Sequence, residues 1–307
     1  MYRQKMIMGF GVFLALLFGG TAALPEASAS GRDAASSDQG TVSSGPDAAS
    51  SGPDAAQADA SSSLPWTAPV RTFQGRAFDI CRAPSRDTMR RWRSSDYRAV
   101  GVYFGGRGRF CKDQPHLNRD WMRAVDAMGW SVLPVYVGSQ SPCVSAGHKK
   151  GLSIGRHPWT QGVREARDAV RRAGEVGIGH SSPLYLDMEA YNYRKQGCAD
   201  RTLAFVRGWS KEVRGSGYVP GFYSSADSGV RHLQSARRAG VRDLPSVVWF
   251  ARWHTKPHLD QEPSLSRNAW RPERRIHQYA GNVKERHGGR TLVIDRNLVN
   301  APVARID

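Results

Sequence analysis

From Ala77 onward the chain keeps repeating one pattern, a short β-type run followed by a stretch with apolar residues at three- and four-residue steps. The β-type runs fall at 77–80, 99–104, 131–137, 183–187, 218–223, 247–251, 276–279 and 292–295. Helical spacing marks Met89 and Trp92 within 85–94. It marks Trp121, Val125 and Met128 behind the N-cap candidate Asn118, and Val163, Ala166, Val170 and Ala173 before Gly174. It marks Leu203, Val206, Trp209 and Val213 before Gly215, and more weakly the stretch 227–239. Strands alternating with helices imply a parallel sheet with crossover helices. Eight strands in about 230 residues fit a closed (β/α)8 TIM-like barrel, class α/β. The rival is an open doubly wound sheet, but Gly105-Gly106-Arg107-Gly108 is no dinucleotide fingerprint and there is no phosphate-binding loop motif.

A barrel of this kind gathers chemistry at the carboxyl ends of its strands. There the sequence places Phe78 and Asp79, Tyr103 and Phe104, Tyr136, Asp187-Met188-Glu189, Phe222 and Tyr223, Trp249 with Trp253 beyond it, Gln278, and Asp295. Acids and aromatics therefore converge on one rim. The fourth run, LYLDMEAY from Leu184 to Tyr191, is the most telling. Residues two apart in an extended chain point to the same side, with Cα atoms about 6.6 Å apart. Asp187 and Glu189 would both face the mouth while Met188 packs outward. Two carboxyls held that close cannot both ionise easily, so one pKa is expected to rise. The result is a proton donor beside a persistent anion, the division of labour that glycosidic cleavage requires. Flanking Tyr and Trp faces suit sugar rings. Other chemistries fit worse: there is no H-E-x-x-H among the nine histidines and no G-x-S-x-G elbow.

The residues before the barrel are of other kinds. Arg3 and Lys5 precede an apolar run from Met6 to Phe18 and an Ala27-Ser28-Ala29 pattern, so 1–29 reads as a secretory signal peptide. An uncleaved anchor is the alternative, which Gly9, Gly11, Gly19, Gly20 and Pro25 disfavour. Residues 30–65 are Ser, Ala, Asp, Gly and Pro, too poor in apolar residues to offset the cost of ordering, and read as a disordered linker. The remaining 66–307 form the barrel domain. Residues 1–65 hold three basic and six acidic side chains, a net −3, which leaves +20 for 66–307 out of the whole chain's +17. A domain that basic attracts polyanions. Outside a cell these are more often anionic wall polymers or phospholipid than nucleic acid. Cys81, Cys111, Cys143 and Cys198 make an even count without C-x-x-C, which suggests two disulfides with three pairings open.

Taken together, Phe78-Asp79-Ile80-Cys81-Arg82-Ala83-Pro84-Ser85, Tyr136-Val137-Gly138, Tyr185 to Tyr191, Gly221 to Ser225 and Ile294-Asp295-Arg296-Asn297 resemble the glycoside-hydrolase-like domain of secreted actinobacterial proteins. The resemblance spans about residues 76–303. It implies a modified TIM barrel similar to the family-25 lysozymes, which cut peptidoglycan between N-acetylmuramic acid and N-acetylglucosamine. By that resemblance Glu189 is the acid, Asp187 steers or stabilises a substrate-assisted intermediate, and Asp79 and Asp295 are the acids of the first and last strands. Tyr103 and Tyr223 would be pocket walls, and Trp249 and Gln278 are further substrate-binding candidates. The same layout implies pairing of Cys81 with Cys111 and of Cys143 with Cys198. The expectation is a secreted or cell-wall-associated glycoside hydrolase acting on peptidoglycan or a related N-acetylated polysaccharide. It needs no metal or other cofactor and keeps no stable membrane span after signal cleavage. The alternative is a non-catalytic glycan-binding module with the pocket retained.

Overall fold

The computed structural model describes residues 69–307, so the expected signal peptide and nearly all of the linker lie outside the described residues. Eight strands close a barrel in chain order: β1 (Thr72–Ile80), β2 (Ala99–Gly105), β3 (Ser131–Tyr136), β4 (Pro183–Asp187), β5 (Val219–Ser225), β6 (Val247–Ala251), β7 (Arg275–His287) and β8 (Arg290–Pro302). The helices on its outside are α1 (Arg86–Trp92), α2 (Arg119–Ala127), α3 (Pro158–Glu175), α4 (Gln196–Gly215) and α5 (Arg231–Arg238). This is the TIM-like barrel that the alternation implied.

Local signals set the helix starts. The Ser85 hydroxyl accepts from the Thr88 amide at 3.2 Å, and Asn118 accepts from the Trp121 amide at 2.9 Å, each satisfying an orphan donor of the first turn. Pro158 opens α3, where its missing N–H is not needed. The faces turned to the strands carry Met89 and Trp92, then Trp121, Met122 and Val125, then Val206, Trp209 and Val213. In α3 the inward stripe is smaller than its spacing suggested. Gly162, Ala166, Ala169 and Ala173 are buried, while Val163 and Val170 are half-buried.

Strand alternation builds two apolar layers. Leu184, Leu186 and Met188 turn outward into the layer beneath the helices, together with Phe78, Val100, Phe222 and Phe250. Ala77, Leu133, Val135, Tyr185, Val219, Val247 and Trp249 fill the barrel interior. The same parity sorts the strand-end aromatics. Phe78, Phe104, Tyr136 and Phe222 belong to the outer layer, whereas Tyr103 and Tyr223 pack with the interior. The Tyr136 hydroxyl donates to Asp168 of α3 at 2.9 Å, on the helix side of the sheet.

The closure of the barrel departs from simple repetition. β7 and β8 are each 13 residues long and form an antiparallel hairpin, so β8 runs against both β7 and β1. His287 pairs with Arg290, and Gly288 and Gly289 between them have φ of 53° and 82°. A two-residue hairpin turn with both central residues at positive φ calls for such glycines. No α-helix is assigned among residues 252–274, which join β6 to β7. The buried Arg275 holds that segment by donating to the carbonyls of Leu259, Ser266 and Ala269, each at 2.8 Å.

Two disulfides tie the loops at the mouth. Cys81, just past β1, is bonded to Cys111 in the β2–α2 loop, and Cys143 after β3 is bonded to Cys198 in α4.

Candidate active site

β4 positions the central pair. Leu184 and Leu186 point to the helices, so Tyr185 and Asp187 point into the barrel, and Glu189 follows two residues later. Gln140, buried just beyond β3, clamps this segment from both sides. Its Nε2 donates to the Asp187 carbonyl at 3.0 Å, and its Oε1 accepts from the Glu189 amide at 2.8 Å. One side chain thus fixes the backbone on both sides of Met188.

The Asp187 carboxyl is 5% exposed and its Oδ1 has no hydrogen-bond partner. Burial pushes its pKa well above the usual carboxylate range. The Glu189 charge pushes the same way, the Lys149 ammonium opposes, and Asp79 adds a smaller upward push. Between its two protonation states, a buried carboxyl without partners favours the neutral one. Glu189 is half-buried, the more solvent-accessible member of the pair.

Asp79 lies deeper and is fully engaged. Its Oδ1 accepts from the Tyr103 hydroxyl at 3.0 Å, and its Oδ2 accepts from Gln278 Nε2 at 2.9 Å and Asn297 Nδ2 at 2.8 Å. Burial raises its pKa against the lowering effect of those three donors. The network continues outward. Asn297 Oδ1 accepts from the Trp249 indole N–H at 2.8 Å, and Gln278 Oε1 accepts from the Tyr223 hydroxyl at 3.0 Å and the Trp253 indole N–H at 2.8 Å. A Cβ on Gly101 would lie 2.5 Å from the Asp79 Cβ and 3.1 Å from the Trp249 ring, so glycine there is what lets the two strands bring these groups together.

Asp295 stands opposite Asp79 in the β1–β8 register. Because β8 runs against β1, Asp295 reaches the rim from within a descending strand rather than as a strand end. Its Oδ1 accepts from the Asn282 amide at 2.6 Å. Burial and the Asp79 charge, with a smaller push from Glu189, raise its pKa to about 7 against that hydrogen bond. Tyr103 and Tyr223 feel burial first and then the surrounding carboxylates, which push both phenols well above their ordinary value and keep them neutral donors.

The structure therefore brings Asp79, Asp187, Glu189, Asp295, Tyr103, Tyr223 and Gln278 into one acidic mouth. Trp249 is also there but 1% exposed, a floor rather than a wall, whereas Trp253 on the rim is 39% exposed. Three participants escape sequence reading. Gln140, Asn297 and Lys149 are polar residues whose burial and partners are set by distant strands. The Lys149 ammonium, in a 3-10 turn at Gly147–Leu152, donates to the Gly108 carbonyl at 2.7 Å and supplies the positive charge felt by Asp187. Among the described residues no group of His, Cys, Asp and Glu has a metal-holding arrangement.

The acid-lined mouth of this closed barrel belongs to a glycoside hydrolase-like domain, a class shown by the sequence pattern of the chain. The sequence pattern of the Rv2525c-like, glycoside hydrolase-like domain matches residues 90–299, and the chain belongs to that family. No curated protein matches the chain. The Tat-secreted protein Rv2525c of Mycobacterium tuberculosis, solved with L-tartrate, superposes with a TM-score of 0.50 at 15% identity, over 74% of this chain and 96% of its own. The spore cortex lytic enzyme SleM of Clostridium perfringens gives a TM-score of 0.47 at 12% identity, over 74% and 67%. The Cpl-1 endolysin of phage Cp-1, solved with a peptidoglycan analogue, gives 0.43 at 13% identity, over 77% and 57%. These are likenesses of fold. No helix among the described residues is long and apolar enough to cross a membrane.

Proposed function

We propose that the protein is a secreted glycoside hydrolase that cleaves cell-wall glycan, either peptidoglycan or a related N-acetylated polysaccharide, without a metal. Its first 29 residues would direct export and residues 30–65 would tether the barrel. The observation that carries the reading is the Asp187–Glu189 pair: one carboxyl buried at the end of β4, the other, two residues on, at the solvent side, with its charge felt at Asp187. Membership of a glycoside hydrolase-like family supports it.

In this mechanism the glycosidic oxygen lies against Glu189, which protonates it as the bond to the anomeric carbon breaks. The substrate acetamide lies deeper, with its N–H donating to the Asp187 carboxylate. Its carbonyl oxygen attacks the anomeric carbon, and positive charge develops on the acetamide. The proton that burial keeps on Asp187 in the free site passes to Glu189 as the acetamide N–H takes its place, so an ionised Asp187 then meets a cation it lacked in the free site. The interaction strengthens as the reaction advances, which is the condition for catalysis rather than mere binding. The burial that makes an isolated Asp187 anion costly is what makes that stabilisation large. Water then opens the cyclic intermediate, and Glu189 takes back a proton. Trp253 and Tyr223 would bound the sugar, and the basic surface would concentrate the protein near anionic wall polymers.

The test is direct. Purified protein is incubated with peptidoglycan and with N-acetylglucosamine oligomers, and new reducing ends are counted. The expected result is release by the wild type, falling about 10²–10⁴-fold in a folded Glu189→Gln variant. If both bind glycan and neither releases reducing ends, the protein is a binding module and the hydrolase reading is wrong.

A further inference from the structure

A cavity of about 540 Å³ opens between the loop after β4 and the turn after β5, and none of the four acids lines it. Its walls are Tyr191, Asn192, Tyr193, Arg194, Asp227 and Arg231. Asp227 is the one acid among them, and it is already saturated. Its Oδ1 accepts from Arg252 at 2.7 Å, Arg231 at 2.9 Å and Ser264 at 3.1 Å, and its Oδ2 accepts from Arg252 at 2.7 Å. Those bonds to Arg252 first, and the Arg252 charge with Ser264 and Arg231 after, hold Asp227 below the usual carboxylate range, so it is a fixed anion. Arg252 is further neutralised by Glu262, at 2.8 Å to each oxygen.

The groups left over are donors. Arg231 uses Nη2 for Asp227 and Ser264, while its Nε is buried with no partner. Arg194 is exposed, and its guanidinium makes no hydrogen bond or ion pair with any described residue. The Asn192 side-chain oxygen accepts from the Arg194 amide at 3.1 Å, and its NH2 group makes no hydrogen bond with any described residue. Tyr193 is braced from behind by a stacked His232, at 5.8 Å and 18° between planes. Arg194, Arg231 and Arg252 against Asp227 and Glu262 leave one positive charge over. A cavity whose free donors are the Arg194 guanidinium and an amide N–H, next to a phenol and to the ion-paired Arg231, matches an oxyanion, which guanidinium can grip in a planar, two-bond fashion.

We propose that this cavity is an anion-reading subsite that takes a carboxylate or phosphate carried by the glycan. The step to the glycan rests on the reading of Asp187 and Glu189 given above. Asn192 follows Glu189 by three residues, which bounds their Cα separation at about 11 Å. A saccharide that lies across the acid pair and continues past Asn192 would present its neighbouring substituent to Arg194. The preference this creates is for acidic over neutral glycans.

The experiment measures binding by calorimetry in the Glu189→Gln background, so that turnover does not consume ligand. The ligands are an N-acetylglucosamine tetramer, a disaccharide-peptide bearing free carboxylates, a glycerol phosphate oligomer and inorganic phosphate. The subsite predicts at least ten-fold tighter binding of one anionic ligand than of the neutral tetramer. Arg194→Ala should erase that preference without weakening the tetramer, and Arg194→Lys should restore part of it. Whichever of the carboxylate and phosphate arms shows the effect identifies the source of the oxyanion. Equal affinity for neutral and anionic ligands overturns the subsite and leaves the glycan reading standing. So does a preference that Arg194→Ala leaves unchanged. If no saccharide binds but phosphate does so in an Arg194-dependent way, the anion site stands and the glycan reading falls.

Discussion

Replacing Asp295 with Asn tests whether the acids at the mouth act on one another. In the folded protein the Asp295 pKa is raised from 3.8 to about 7, by burial, by Asp79 and by Glu189. A carboxyl with a raised folded-state pKa contributes stability that is fully present below its unfolded value. That contribution is lost as pH rises through the folded value. At about 1.36 kcal/mol per pKa unit, a rise of about three units sets a ceiling near 4 kcal/mol lost by pH 8. Solvent screening at this half-buried side chain brings the expected value to about 2 kcal/mol. Asparagine has the same shape and can still accept from the Asn282 amide, but it never ionises. Asp295→Asn should therefore match the wild type at pH 4. It should then gain on it between pH 4 and 7 and be about 2 kcal/mol more stable at pH 8. Denaturant unfolding with the disulfides intact, at pH 4, 5.5, 7 and 8, reads the difference directly. A gap that does not change with pH, or a variant less stable than wild type at pH 8, refutes the clustering of charge described for this mouth.

Two other substitutions probe its construction. Gly101→Ala puts a methyl 2.5 Å from the Asp79 Cβ and should destabilise by about 1–3 kcal/mol, with a change in the near-UV signal of the buried Trp249; an unaltered unfolding midpoint contradicts the packing. Lys149→Met removes the cation that opposes the rise at Asp187, so the Asp187 carboxyl carbon should titrate at higher pH in a 13C NMR titration, and a downward move contradicts the placement.

The part of this site that a reader of the sequence can see is the part that obeys a period of two. Leu184, Leu186 and Met188 are apolar and Asp187 and Glu189 are not, so a single strand assignment puts both acids on one side. Parity alone also separates Tyr103 from Phe104 and Tyr223 from Phe222, but only once the register of each strand is known. A list of strand-end aromatics therefore mixes pocket with core, and Tyr136 is on it although its hydroxyl serves α3. The closing hairpin was legible in one dipeptide. Gly288-Gly289 is a tight-turn signal, but the mostly polar stretch before it, Asn282 to His287 with Val283 alone apolar, conceals the second half of β7. Reading Asp295 as the end of a parallel strand misses that reversal, even though the residue arrives at the same rim. Gln140 and Lys149 carry no local mark at all, and Asn297, although it ends the Ile294-Asp295-Arg296-Asn297 motif, carries none that says what it bonds. What makes them part of the site is burial against Asp187, Gly108 and Asp79, which lie 47, 41 and 218 positions away along the chain.

A crystal of the Glu189→Gln variant soaked with an N-acetylated oligosaccharide addresses the central claim most directly. The expected result is one sugar whose acetamide nitrogen lies within hydrogen-bond reach of the Asp187 carboxylate and whose glycosidic oxygen faces residue 189, about 3 Å away. A saccharide that binds elsewhere, or one that enters the mouth with its acetamide turned away from Asp187, contradicts it.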